Sequence, residues 1–180
     1  MPPALCVCAD QVFNEYAKGD GAIGDELHSK YLLEFAEWKN MLRDLKIIGE
    51  DITPREVAMT FVWARLRVCD VRSLESQVRM TQLHFTDFLE AIVRLSTLKR
   101  LPTDEQIYEQ GYSDAGEYCL KLNDAEPAAY AEFMKGATRE WDSPLPQPIF
   151  RLVDHMCCVM VMAFEELVST QKKKSGGKGK

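Results

Sequence analysis

Apolar residues recur at spacings of three and four along most of the chain, and no stretch alternates apolar with polar between turn signals as a half-buried strand would. The pattern predicts an all-α protein. A first helix is expected from about Leu5 to Ala17, with Val12, Phe13 and Tyr16 on one face, before the glycines of KGDGAIGDE break it. A second, from about Glu26 to Leu45, would align Leu32, Phe35, Trp38, Leu42 and Leu45. A third opens at ITPRE, with Thr53 as N-cap, Pro54 at the first helical position and Glu56 closing a capping box, ahead of a stripe of Val57, Phe61, Ala64 and Val68. The fourth, from about Thr86 to Lys99, lines up Phe85, Phe88, Leu89, Ile92 and Leu95.

Pro102 ends this first half, and TDEQ, from Thr103 to Gln106, repeats the capping-box spacing at the start of a more interrupted helical half marked by GYSDAGEY, NDAEPAAY and WDSPLPQP. A last helix is expected from Ile149 to about Gln171. It is apolar on most faces between Val153 and Leu167, so it is expected to be buried rather than to face a partner, since large exposed apolar patches are uncommon. The organisation predicted is residues 1–101 as a paired helical unit with its N-terminal helix, 102–171 as a helical C-terminal region, and 172–180 as a disordered basic tail. At 180 residues the chain can bury one sizeable core.

Charge sharpens this division. The net charge is −6, but Lys172, Lys173, Lys174, Lys178 and Lys180 crowd the last nine residues, which leaves −11 on residues 1–171. KKKSGGKGK has no apolar residue to offset the entropy of ordering, and it would be drawn to an acidic polymer. The six cysteines include no C-x-x-C pair, and most lie in apolar periodic segments, which fits reduced thiols acting as small hydrophobes. The most apolar run, MCCVMVMAF, is far shorter than a membrane span, and the N-terminal residues lack a basic leader region. A cytoplasmic protein with no membrane partner is the expectation.

One stretch carries a more specific signal. In LHFTDFLEAIVRL, Leu83 can be placed at position 8 of a twelve-residue calcium loop, with Phe85 at 10, Asp87 at 12 and Phe88 opening the exit helix, so the stretch resembles the second half of an EF-hand. The positions that should supply oxygen ligands hold Ser76, Val78 and Met80, and Thr81 stands where glycine belongs. In the same way DITPREV places Ile52 at position 8 and Glu56 at 12, with Leu45, Ile47 and Gly49 at the ligand positions. The reading is a degenerate EF-hand-like pair in which Ile52 and Leu83 make the contact between loops, with no metal and no cofactor.

The order of VFNEYAKGDGAIGDELHSKYLLEFAEWKNMLRDLKII, ITPREVAMTFVWAR and LHFTDFLEAIVRLS resembles the tubulin polymerization-promoting protein family and related EF-hand-like proteins of cilia and flagella. The resemblance covers roughly Val12 to Leu98. It implies tubulin, the microtubule or other axonemal proteins as partners, and a cytoskeletal setting in the cilium or flagellum. The segment VCDVRSLESQVRM is long for the pattern, and nothing from Pro102 onward has a counterpart.

Other chemistry has little purchase. HMCC puts His155 and Cys158 one helical turn apart but supplies only two of the ligands zinc needs. No phosphate-binding fingerprint is present, no local signature marks a catalytic cysteine, and nucleic acid is an unexpected partner despite Arg65, Arg67 and Arg72. The expected function is a non-enzymatic, calcium-independent adaptor with no catalytic residues. Met59, Phe61, Trp63 and Phe88 are candidates to line a groove for an amphipathic partner helix, and Lys172, Lys173 and Lys174 are candidates to meet acidic tubulin tails. The alternative is a calcium-independent light-chain-like subunit holding a helix of a motor or enzyme.

Overall fold

The structure, a computed structural model, describes residues 3–17, 32–65, 72, 80–135 and 143–176, with backbone alone for 3–8 and 174–176. In the first half, helix α1 (Pro3–Tyr16) is followed by a two-residue strand β1 (Leu33–Glu34) that runs directly into α2 (Phe35–Asp44). Helix α3 (Pro54–Ala64) is followed by β2 (Gln82–Leu83), which leads through the single N-cap residue His84 into α4 (Phe85–Leu98). The start of α3 is as its sequence dictates: the Glu56 amide donates to Thr53 Oγ1 at 3.3 Å, the Thr53 amide donates back to the Glu56 carboxylate at 2.7 Å, and Pro54 occupies the first turn.

The two strands pair antiparallel, Leu33 opposite Leu83 and Glu34 opposite Gln82. The contact expected between Ile52 and Leu83 is therefore made by Leu33 and Leu83, and Ile52 is buried in the turn before α3 instead. The expected second helix is corrected as well. It begins at Phe35, because residues 33 and 34 are extended for the strand pairing and Glu34 caps the helix, its amide donating to the Glu37 carboxylate at 2.8 Å. Residues 26–31 of that expectation, and the glycine-rich stretch before them, lie outside the described residues.

Around this pairing the core closes. Trp38 of α2 is fully buried and its indole N–H donates to the Val57 carbonyl of α3 at 3.1 Å. Phe88 of α4 packs on Trp38 from one side and on Phe13 of α1 from another, at centroid distances of 6.1 and 5.2 Å. The Tyr16 hydroxyl donates to Asp44 at 3.1 Å, tying the end of α1 to the end of α2. Fully burying side chains of this size contributes about 1.5–3 kcal/mol each. At the far end of α4, Lys99 is buried and its Nζ lies 3.0 Å from Asp51 and donates to the Ile47 carbonyl at 3.2 Å, while the Arg100 amide donates to Asp51 at 2.9 Å. This polar knot fastens the α2–α3 connection to α4.

In the second half, α5 (Asp104–Glu109) starts on the predicted Thr103–Gln106 capping box and stops at Gly111, which takes a positive φ of 73°. Asp114 accepts the Glu117 amide at 2.9 Å to begin α6 (Ala115–Ala125), and Pro127 begins α7 (Pro127–Met134). The last helix, α8 (Ile149–Gly176), is about 42 Å long at 1.5 Å per residue. Its buried stripe of Leu152, Met156, Val159, Met160 and Ala163 packs against α6, α4 and α1. One hydrophobic cluster thus runs through both halves of the chain. The crossing of α6 and α8 depends on Gly116, where a Cβ would stand 2.6 Å from the Cys158 carbonyl oxygen.

Helix α8 continues through Lys172, Lys173 and Lys174 to Gly176, beyond the boundary at 171 where a disordered tail was expected. Lysine is a good helix former, and cations at a helix C-terminus complement its dipole. Among the described residues no helix is long and apolar enough to cross a membrane.

Candidate partner-binding surfaces

The four residues expected to line one groove divide between core and surface. On α3 the positions that face inward are Val57, Thr60, Phe61 and Ala64, one helical stripe, so Phe61 is buried with its ring edge-on to Phe35 at 5.3 Å. Phe88 has no exposed surface, because α1 delivers Phe13 onto it and Trp38 closes the other side. Met59 is half-buried and Trp63 is 41% exposed, beside the exposed Val62. The structure therefore brings Met59 and Trp63 to the outer side of α3 and places Phe61 and Phe88 in the core.

Lys172 and Lys173 are exposed on the last turns of α8, and Lys174 follows in the same helix, so the cationic group stands on a helical stub. Of the three arginines noted after α3, the Arg65 guanidinium lies over the Phe61 ring at 5.6 Å, Arg72 is exposed, and Arg67 lies outside the described residues.

Glu37 and Asp87, each four residues after one of the paired leucines Leu33 and Leu83, act as caps. Each closes its own helix, Glu37 on the Glu34 amide and Asp87 on the His84 amide at 3.3 Å. Asp87 is also buried. The likeness of the two strand–helix segments was present in the sequence as Leu33-x-Phe35-x-Glu37-Trp38 against Leu83-x-Phe85-x-Asp87-Phe88, at a constant offset of 50 residues.

Among the described residues at least two cavities border α8. The first, about 240 Å³, lies between α1, α4 and α8 and is walled by apolar side chains that include Val12, Leu89, Val93, Val153 and Met160. The second, about 310 Å³, is polar and lies between α5, α6 and α8. His155 and Cys158, noted in HMCC for their spacing, both line it, together with Asp104, Asp114, Arg151 and Asp154. The Arg151 Nε lies 3.2 Å from Asp104, and His155 Nε2 lies 3.3 Å from the other oxygen of the same carboxylate. That second approach is too poorly aligned for a hydrogen bond, which leaves the buried Nε2 without one. Burial lowers the His155 pKa below the ordinary histidine value, against the opposing pull of Asp104 and Asp154.

No group of three or more metal-binding side chains is assembled among the described residues. Burial pushes the Cys119 thiol up to about 12 and the Cys158 thiol up to about 11, which disfavours the thiolate that nucleophilic or redox chemistry needs. Sequence reasoning did not find the polar cavity, because its walls come from three separated elements. No protein family, curated protein or solved structure matches this chain.

Proposed function

We propose that this chain is a non-catalytic adaptor of the microtubule cytoskeleton, serving in the axoneme of a cilium or flagellum and built on a calcium-independent EF-hand-like pair. The observation that supports it most is the pairing of Leu33 with Leu83, which joins two helix–loop–helix exits while Glu37 and Asp87 cap helices. In a calcium-binding hand the twelfth carboxylate is a bidentate ligand. Here both carboxylates are engaged with backbone amides, and the loop before Asp87 offers Ser76, Val78 and Met80 at ligand positions.

The packing of α8 favours the adaptor over the light-chain reading. EF-hand pairs that grip a partner do so by accepting an amphipathic helix. In this chain α8 supplies such a helix from within, laid against α1 and α4, the first and last helices of the pair. What remains for a partner is the outer side of α3, with Met59 and Trp63, and the cationic end of α8, with Lys172, Lys173 and Lys174. The latter suits the acidic tails of tubulin, and its attraction should weaken with salt.

Co-sedimentation of the full chain with taxane-stabilised microtubules, with and without calcium, tests the proposal. Pelleting that is indifferent to calcium, weakens with added salt and falls when Lys172, Lys173 and Lys174 are changed to glutamine is the expected result. Failure to pellet at low salt overturns direct microtubule binding.

A further inference from the structure

Helix α3 turns Val57, Thr60, Phe61 and Ala64 into the core, and its opposite side carries Arg55, Met59, Val62 and Trp63 at the spacings of one helical face. Val62 is 49% exposed and Trp63 41%. Valine and tryptophan are weaker helix formers than alanine, lysine or glutamate, so helix stability does not account for them at open positions. The charge on this side is equally one-sided. Arg55 begins the strip, exposed, and Arg65 ends it, its guanidinium over the Phe61 ring. The one acid of α3, Glu56, has its carboxylate taken by the Thr53 amide and hydroxyl, each donating to it at 2.7 Å. Residues 1–171 as a whole carry −11, so an apolar, cationic strip stands on an acidic body.

We propose that this strip docks an acidic amphipathic segment of a partner protein, with large apolar side chains against Met59, Val62 and Trp63 and carboxylates against Arg55 and Arg65. The two arginines stand about 15 Å apart along the helix at 1.5 Å per residue, the length of roughly three helical turns in the partner. Tryptophan and arginine are the side chains most enriched among those that dominate binding energy, and methionine adapts its shape to what it meets. Carboxylates paired with the arginines at either end steer the approach and fix the orientation more than they add affinity. An acidic segment is repelled by the body at large, so the strip directs where it lands. The inference rests on the adaptor reading, in which this side of α3 is left to a partner, and not on microtubule binding.

The test is a titration of the isotopically labelled full chain, followed by amide and indole NMR, with a short amidated peptide that sets leucine and phenylalanine among glutamates at helical spacing. Two control peptides replace its glutamates by glutamine or its apolar residues by alanine. Because Lys172, Lys173 and Lys174 also attract acids, each titration is repeated on a chain carrying Lys172→Gln, Lys173→Gln and Lys174→Gln. Saturable shifts are expected at the Trp63 indole and at the Met59, Val62 and Arg65 amides in both chains. The glutamine peptide should bind about fivefold more weakly and the alanine peptide about tenfold or more. Trp63→Ala should weaken binding about tenfold and Arg55→Gln about threefold, with the remainder of the spectrum in place. Absence of saturation, an equal response to either control peptide, or shifts that vanish with the lysines overturns the proposal, as does a response unchanged by Trp63→Ala and Arg55→Gln. Co-sedimentation of the unaltered chain with microtubules separates the two readings. Pelleting without peptide binding overturns this inference alone, and peptide binding without pelleting overturns direct microtubule binding alone.

Discussion

Helix α2 turns Trp38, Met41, Leu42 and Leu45 inward, and α4, fifty residues on, turns Phe88, Ala91, Ile92 and Leu95 inward at the matching positions. On their outer sides the two helices part. Where α2 shows Lys39, Asn40 and Arg43 to solvent, α4 has Leu89, Glu90 and Val93, half-buried in the cavity wall beneath α1 and α8. Three substitutions on one face thus separate a helix that ends the molecule from a helix on which its C-terminal half is built. The two strand–helix segments are alike in how they start and different in what they carry.

That difference should be largest at the C-terminal end of α4, which the Lys99–Asp51 pair fastens and which has no counterpart on α2. Removing one partner leaves the other charged and buried. Asp51→Ala or Lys99→Ala should therefore cost about 3–5 kcal/mol in chemical denaturation, and the double replacement should cost less than the two single changes added together. Additive single effects would mean that the two charges do not depend on one another in the folded chain.

The outer faces can be compared directly. Leu89→Asp puts a carboxylate into the apolar cavity wall and should cost about 2–3 kcal/mol. The same change at the matching position, Lys39→Asp, should stay within about 0.5 kcal/mol, because Lys39 is exposed. Equal costs would remove the distinction between the helices. Gly116→Ala probes the same docking from the other side of α8. Its methyl would meet backbone rather than a movable side chain, and a loss of about 1–3 kcal/mol should appear in thermal unfolding.

These contrasts also explain what could be read from the residues in advance. The start of α3 at Thr53–Glu56, the start of α5 at Thr103–Gln106 and the burial of α8 were legible because capping boxes and long apolar stripes are local. The register of the strand pair was not. A two-residue strand is too short to display alternation, and Leu32, Phe35, Trp38 and Leu42 continue the same helical periodicity across it. Ile52 offered a plausible partner for Leu83 only while the repeat at fifty residues went unseen. The polar cavity was illegible for a different reason. His155 and Cys158 share a helix face, but Asp104, Tyr108 and Asp114 reach them only through the packing of α5 and α6 on α8.

The smallest expected effect lies at the other end of the comparison. Helix α4 runs on to Leu98, but α2 stops at Asp44, and its terminus is made by Lys46 in the left-handed region at φ 56°, with its amide donating to the Arg43 carbonyl at 3.0 Å. A side chain there costs roughly 1–2 kcal/mol, part of which glycine would return through its greater freedom in the unfolded chain. Lys46 also reaches Glu166 of α8 at 3.5 Å, but both side chains are about half exposed and such a pair contributes little. Lys46→Gly should therefore stabilise the protein by about 0.5–1 kcal/mol, and Glu166→Gln should change it by less than about 0.5. If Lys46→Gly instead destabilises while Glu166→Gln destabilises equally, the ion pair outweighs the backbone strain. The end of α2 would then be held by α8 after all, as α4 is.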